Sequence, residues 1–222
     1  MKVLVIAKAP VAGRVKTRLC PPLTHAQAAQ VAASALHDTF LAVMASAADE
    51  VVVAFDGDPR PWVPAGLRVL PQRGETFAER LTLAWEDCGG PAVQIGMDTP
   101  QVTASMLDAA MATLAGPPCQ SVLGLAEDGG WWALGMDTPH PDVFDGIEMS
   151  TPHTGQDQRR RLEQLGLAPV LLPSLRDVDT WEDAVAVAGL APTTFFAAAV
   201  VAISPWPPAS PAPGRRVPSP GP

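Results

Sequence analysis

Four stretches of the chain carry side chains whose types and spacing could do chemistry. The first is Lys8-Ala-Pro-Val-Ala-Gly-Arg-Val-Lys-Thr-Arg18. Its cations Lys8, Arg14, Lys16 and Arg18 could hold the phosphates of a nucleotide through charge-assisted hydrogen bonds, and Gly13 would let the backbone approach such a ligand closely. A Walker A loop needs Gly directly before Lys-Ser/Thr. Val15 stands there, which excludes a P-loop ATPase. The alternative is a basic turn that only solvates the chain. The second stretch is Gly96-Met-Asp-Thr-Pro-Gln101, in which Asp98 follows an apolar run. It could hold a hard divalent cation bridging phosphate oxygens, or cap a helix opening near Thr103. The third is Gly124 to Gly135. Asp128-Gly129-Gly130 suits a hairpin turn, and Trp131 and Trp132 alternate faces if extended, so one can be core while the other lines a pocket and stacks on a base or sugar. The fourth is Asp177-Val-Asp-Thr-Trp-Glu-Asp183, where Asp179 could complete a metal site with Asp98 or cap the last helix.

These residues act together only if the chain brings them to one edge of a sheet. Lys2 to Ala7 is an almost unbroken β-branched and apolar run, the pattern of a strand buried on both faces. The Pro- and base-rich loop from Lys8 to Pro22 follows, and then Thr24 caps an Ala-rich helix to about Ala48. The alternation continues with strands at Glu50–Phe55 and Leu67–Leu70, a helix at Thr76–Asp87, a strand at Pro91–Gly96 and a helix at Thr103–Ala115. Strands at Ser121–Leu125 and Trp131–Met136, a helix at Gly155–Leu165 and a strand at Val170–Leu172 come next. Thr180, with Asp183 three residues on, opens another helix as a capping box. Strands alternating with helices predict an α/β fold, a single-domain three-layer sandwich with a mostly parallel central sheet over residues 1–192. Thr193 to Ile203 is apolar but short, and is expected as a terminal helix docked on that domain. Ser204 to Pro222 holds eight prolines in nineteen positions and reads as a disordered or polyproline tail.

Composition narrows the function classes. The chain of 222 residues is 47% apolar and 17% charged, enough to bury a core, with a net charge of −8 that argues against a nucleic-acid partner. Met1 to His37 holds five basic residues and no acid, so a cationic patch sits on an acidic molecule and suits a small polyanion. No uninterrupted apolar run approaches the roughly 18 residues of a membrane span. The three cysteines lie far apart in no metal-ligand spacing, and Lys8 and Pro10 stop the first apolar stretch before it could serve as a secretory signal. A cytoplasmic location is the expectation. His25, His37, His140 and His153 form no H-x-x-x-H pair, and no G-x-S-x-G elbow supports serine hydrolysis.

Taken together, AKAPVAGRVKTRL at the start, QRGETFAERL at 72–81, GMDTP at 96–100, AEDGGWWALG at 126–135, FDGIEMST at 144–151 and DVDTWEDA at 177–184 resemble a small bacterial transferase family. It is the arsenosugar-biosynthesis-type glycosyltransferase family, also described as radical-SAM/selenodomain-associated transferases, within the nucleotide-diphospho-sugar transferase superfamily. The likeness runs from about Met1 to Ala188. It implies a single-domain GT-A, Rossmann-like fold, a nucleotide or nucleotide-sugar over the loop after the first strand, a small-molecule acceptor, and Mg²⁺ or Mn²⁺ held by Asp98, with Asp179 as a second ligand. Gly129, Gly130 and Trp131 would then line the acceptor or sugar pocket, and Asp128 and Glu148 are the carboxylates available for catalysis or for binding sugar hydroxyls. The sequence departs from the family pattern at Met97, Leu125, Trp131 and Met149, on the acceptor side rather than among the charged groups. Glycosyl transfer is the leading expectation. Nucleotidyl transfer with release of pyrophosphate, as in the related guanylyltransferases and molybdenum-cofactor transferases, is the alternative, and a non-catalytic nucleotide-binding domain the third.

Overall fold

The computed structural model describes residues 1–203. Alternate residues of β1 (Lys2–Lys8) face opposite sides, and both sides are apolar, so the strand is buried from above and below. It pairs in parallel with β2 (Glu50–Asp56) and with β4 (Ala92–Ile95). With β3 (Arg68–Pro71), β5 (Ser121–Ala126), β6 (Trp131–Met136) and β7 (Val170–Leu175) these form one seven-stranded sheet in the order β3-β2-β1-β4-β6-β5-β7. Only β6 runs antiparallel, against both β4 and β5.

Helices cover both faces. On one, Val3 and Val5 pack against α1 (His25–Ala45) and α3 (Ala104–Ala115) through Leu36, Phe40 and Leu107. On the other, Leu4 and Ile6 meet Leu81 and Trp85 of α2 (Phe77–Cys88) and Leu162 of α4 (Thr154–Gln164). The result is the expected three-layer α/β sandwich. Capping boxes at Thr24 with Gln27 and at Thr76 with Glu79 fix where α1 and α2 begin, each satisfying two otherwise orphaned backbone donors. The third, at Thr180 with Asp183, starts α5 (Trp181–Leu190).

Past residue 192 the chain adds one more helix to the packed body. α6 (Phe195–Ile203) lies against α1 and α5, with Phe196, Ala197 and Val200 in a core shared with Val31 and Val187. Its first turn is held by Asp38, buried in α1. The Asp38 carboxylate oxygens accept from Phe195 N at 3.0 Å and Phe196 N at 2.7 Å. α1 is long and apolar enough to cross a membrane on length and composition alone. Here that character has a packing cause: one face meets the sheet and the other meets α5 and α6, so it is apolar nearly all round. The Pro-rich segment 204–222, expected to be a tail, lies outside the described residues.

Strand order sets the site. The chain leaves β1 for β2 on one side and returns through β3 and α2 to β4 on the other, so the crevice outside the carboxyl ends of β1 and β4 is a topological switch point. The pairings also align β5 and β7 with β1, so the carboxyl ends of six strands share this edge of the sheet.

Candidate active site

A cleft of about 830 Å³ follows that edge. Lys8 ends β1 at the register position of Asp56, and its backbone N–H points to Met97 Sδ at 3.5 Å, so the exits of β1, β2 and β4 are tied together. The loop after β1 then splits in two. Val11 to Arg14 form a turn closed by Arg14 N donating to Val11 O at 2.9 Å, while Val15 is buried and anchors the remainder. Gly13 and Arg14 are exposed on the turn, outside the residues that line the cleft. Lys8 and Arg18 do line it.

Lys16 is the unexpected member of the loop. Its backbone is left-handed (φ 48), and its side chain is only 9% exposed. The ammonium donates to the Val178 carbonyl and lies 2.6 Å from Asp98 Oδ1 and 3.8 Å from Asp179 Oδ1. An ammonium this enclosed is held by its oxygen partners, and it lines a crevice with Lys8, Arg18 and the half-exposed Asp98 rather than lying free on the loop surface. Asp98 and Asp179 are brought together as expected, but around this ammonium. Neither caps a helix: Thr103 caps α3 by accepting from Met106 N at 3.3 Å, and Thr180 caps α5.

A second group of carboxylates meets at Asp179. Donor oxygens of Asp128, Asp177 and Asp179 all lie within 4.8 Å of one another. Glu127 N donates to Leu175 O at 2.9 Å and Arg176 Nε to Glu127 Oε2 at 2.7 Å, which fastens the β5–β6 turn to the end of β7. Val178 N donates to Asp98 O at 2.9 Å, joining the same loop to the exit of β4. Asp177 was not among the expected site residues. Its carboxyl is pushed up to about 6, first by burial and then by the charges of Asp128 and Asp179. Its spacing offered a clue, because residues two apart on an extended segment face the same side.

Asp128 lies in the hairpin turn its sequence suggests, with Oδ1 accepting from Gly130 N at 2.8 Å. Gly130 and Trp131 line the cleft, Trp131 stacked on Phe144 with ring centroids 6.3 Å apart, while Trp132 is buried and donates to the Pro173 carbonyl at 3.0 Å. Gly129 has a structural task instead. With φ +94 and an added Cβ only 2.0 Å from Pro152 O, the position tolerates no side chain, and its carbonyl accepts from Gly155 N at 2.8 Å. Glu148 is exposed and absent from the cleft lining. Ile147 before it is buried and Met149 after it faces the cleft, with Glu148 on the solvent side between them.

The match to the family model spans residues 26–151, more than half of the chain. The protein belongs to the family described as "Uncharacterized protein conserved in bacteria (DUF2064)". Among solved structures, its fold is shared with a Desulfovibrio desulfuricans G20 protein provisionally described as a nucleotide-diphospho-sugar transferase. That pair has TM-score 0.81 at 23% identity, covering 90% of this chain and 94% of the other. A cytidylyltransferase from Leptospira borgpetersenii serovar Hardjo-bovis gives TM-score 0.55 at 12% identity, over 91% and 92% of the two chains. CMP:2-keto-3-deoxy-manno-octonic acid synthetase complexed with CTP gives 0.51 at 15%, over 86% and 98%. No curated protein sequence matches the chain.

Proposed function

We propose that this protein is a divalent-cation-dependent transferase that takes a nucleotide-activated sugar and moves the glycosyl group to a small acceptor, as the arsenosugar-type family its motifs resemble implies. The observation that carries this reading is the meeting of Asp128, Asp177 and Asp179 in the cleft that Lys8 and Arg18 also line. The volume of that cleft falls within the roughly 300–1,000 Å³ of small-molecule sites.

The three carboxylates suit a hard cation such as Mg²⁺ or Mn²⁺, which prefers oxygen ligands and is commonly held by one or two carboxylates plus substrate phosphates. Burial already disfavours the charge on Asp177, and a cation would relieve it. Asp179 is the expected ligand that belongs to this set, whereas Asp98 already has the Lys16 ammonium 2.6 Å away. A cation bound there would neutralise charge building on the departing diphosphate. Lys8 and Arg18 share that charge from the loop side. Trp131 offers its ring to the sugar or acceptor, and Asp128, exposed at the hairpin tip, is placed to accept a hydroxyl proton or to hold a hydroxyl.

Nucleotidyl transfer is the second reading, supported by the fold shared with the cytidylyltransferase and with the CTP-bound synthetase along nearly their full lengths. The products separate the two. With Mn²⁺ and a set of small hydroxyl-bearing acceptors, a panel of nucleotide-sugars should yield glycosylated acceptor and free nucleoside diphosphate. Pyrophosphate released from a nucleoside triphosphate and a sugar phosphate would establish the second reading, and turnover of neither panel would leave a nucleotide-binding domain without this chemistry.

A further inference from the structure

The charged groups above account for a diphosphate but leave the far end of the cleft unassigned. There, at the exits of β2 and β3, the lining is made by Asp56, Gln72, Phe77 and Arg80. They are neighbours through the backbone: Gln72 N donates to Phe55 O at 3.1 Å, placing Gln72 beside the strand end that carries Asp56. The Gln72 side-chain nitrogen is spent, donating to Ala7 O at 2.9 Å and Ala54 O at 3.0 Å. Two carbonyl acceptors fix the orientation of the amide and use both of its N–H donors, so only Oε1, an acceptor, remains to offer. The Asp56 carboxylate supplies further acceptors, half exposed, with Arg80 Nη1 3.9 Å away as a donor. Phe77 leaves 45% of its surface open in the same wall.

A flat apolar face beside two acceptors and a cationic donor selects among the nucleobases. The hydrogen-bonding edge of guanine presents two adjacent donors, N1–H and the 2-amino group, followed by the O6 acceptor. Cytosine and uracil each present one donor position and two acceptors, and adenine one of each, so they would leave an acceptor of the wall facing an acceptor of the base. We propose that this end of the cleft reads a guanine base: Asp56 and Gln72 Oε1 accept from N1–H and the 2-amino group, Arg80 donates to O6, and Phe77 packs on the ring. Aromatic stacking of this kind tolerates every base, so discrimination falls to the polar groups. The inference rests on the nucleotide reading of the cleft.

Calorimetric titration of the full chain with GDP, UDP, CDP and ADP in the presence of Mn²⁺ tests it. GDP should bind at least about tenfold more tightly than the others, the scale of one well-made polar contact. Asp56→Asn exchanges an acceptor for an amide donor. It should weaken GDP by at least about tenfold and bind xanthosine diphosphate, whose 2-carbonyl accepts from the new amide, better than GDP. Gain of the xanthine ligand also shows that the variant is folded. Equal binding of all four diphosphates, preference for another base, or an Asp56→Asn variant that still favours GDP would overturn the guanine assignment while leaving the nucleotide site in place. Binding of none of them would overturn the nucleotide reading and this inference with it.

Discussion

Asp177 and Lys16 set the electrostatics of the site from opposite sides. The folded-state pKa of Asp177, about 6, lies above that of an ordinary carboxyl, so the native chain holds this proton more tightly than the unfolded chain does. Its contribution to stability is therefore fully present below the unfolded pKa of about 4 and is lost as pH rises through the folded value. Without metal, the denaturation midpoint of the parent should fall between pH 4 and 6 relative to Asp177→Asn, whose side chain has no proton to lose. Chemical denaturation of both proteins across that window measures the difference. Lys16 poses a separate question, since its ammonium balances Asp98. Asp179→Asn should weaken Mn²⁺ at least about tenfold in a calorimetric titration, while Asp98→Asn should weaken it less, because Asp98 lies outside the group of three carboxylates and pairs with Lys16. Equal losses would make Asp98 a ligand. The sequence exposed Asp98, Asp128 and Asp179 through their places at strand ends. It hid the ion pair, because Lys16 and Asp98 are 82 residues apart and only the fold brings the loop onto the β4 exit. Arg14 and Lys16 look alike in the sequence, yet the turn at Val11–Arg14 leaves one in solvent and the buried Val15 carries the other inward.

Helices and strands were legible wherever local rules decide them. β1 and β2 announce themselves by β-branched runs, and Thr24, Thr76 and Thr180 mark helix starts with partners three residues on. α6 was legible as an apolar segment, but its anchorage was not, because the cap comes from Asp38, 157 residues earlier. Asp38→Ala leaves the N–H groups of Phe195 and Phe196 without their acceptor and should cost roughly 1–2 kcal/mol. For a domain of this size that lowers Tm by about 2–8 °C, measurable by thermal denaturation, with nucleotide affinity unchanged. The hairpin element behaves differently. Gly129→Ala forces a side chain into a left-handed backbone and against Pro152 O, so both stability and Mn²⁺ affinity should fall as the turn bearing Asp128 shifts. Loss of stability with Mn²⁺ affinity intact would detach that turn from the proposed cation site.

At the scale of the whole molecule, one parallel-sheet edge gathers residues spread from Lys8 to Asp183 into a single cleft. Alternation of strand and helix made that edge foreseeable, but not which loops fold back over it. The β7–α5 loop does so because it is tied to both the β4 exit and the hairpin, and this is what joins Asp177 and Asp179 to Asp128. α6 lies outside the cleft yet covers the core it shares with α1 and α5. A chain ending at Ile203 should therefore bind nucleotide as the full chain does, whereas one ending at Thr194 should precipitate with the α1 face uncovered. The proposed chemistry requires that this cleft bind a nucleotide through a divalent cation on Asp179 and its two neighbours. It is tested most directly by titrating a nucleoside diphosphate into the parent and into Asp179→Asn by calorimetry, each with Mn²⁺ and with chelator. Tight binding is expected only for the parent with Mn²⁺, and at least about tenfold weaker binding in the other three titrations. Equal affinity in all four, or affinity that Mn²⁺ leaves unchanged in the parent, would contradict it.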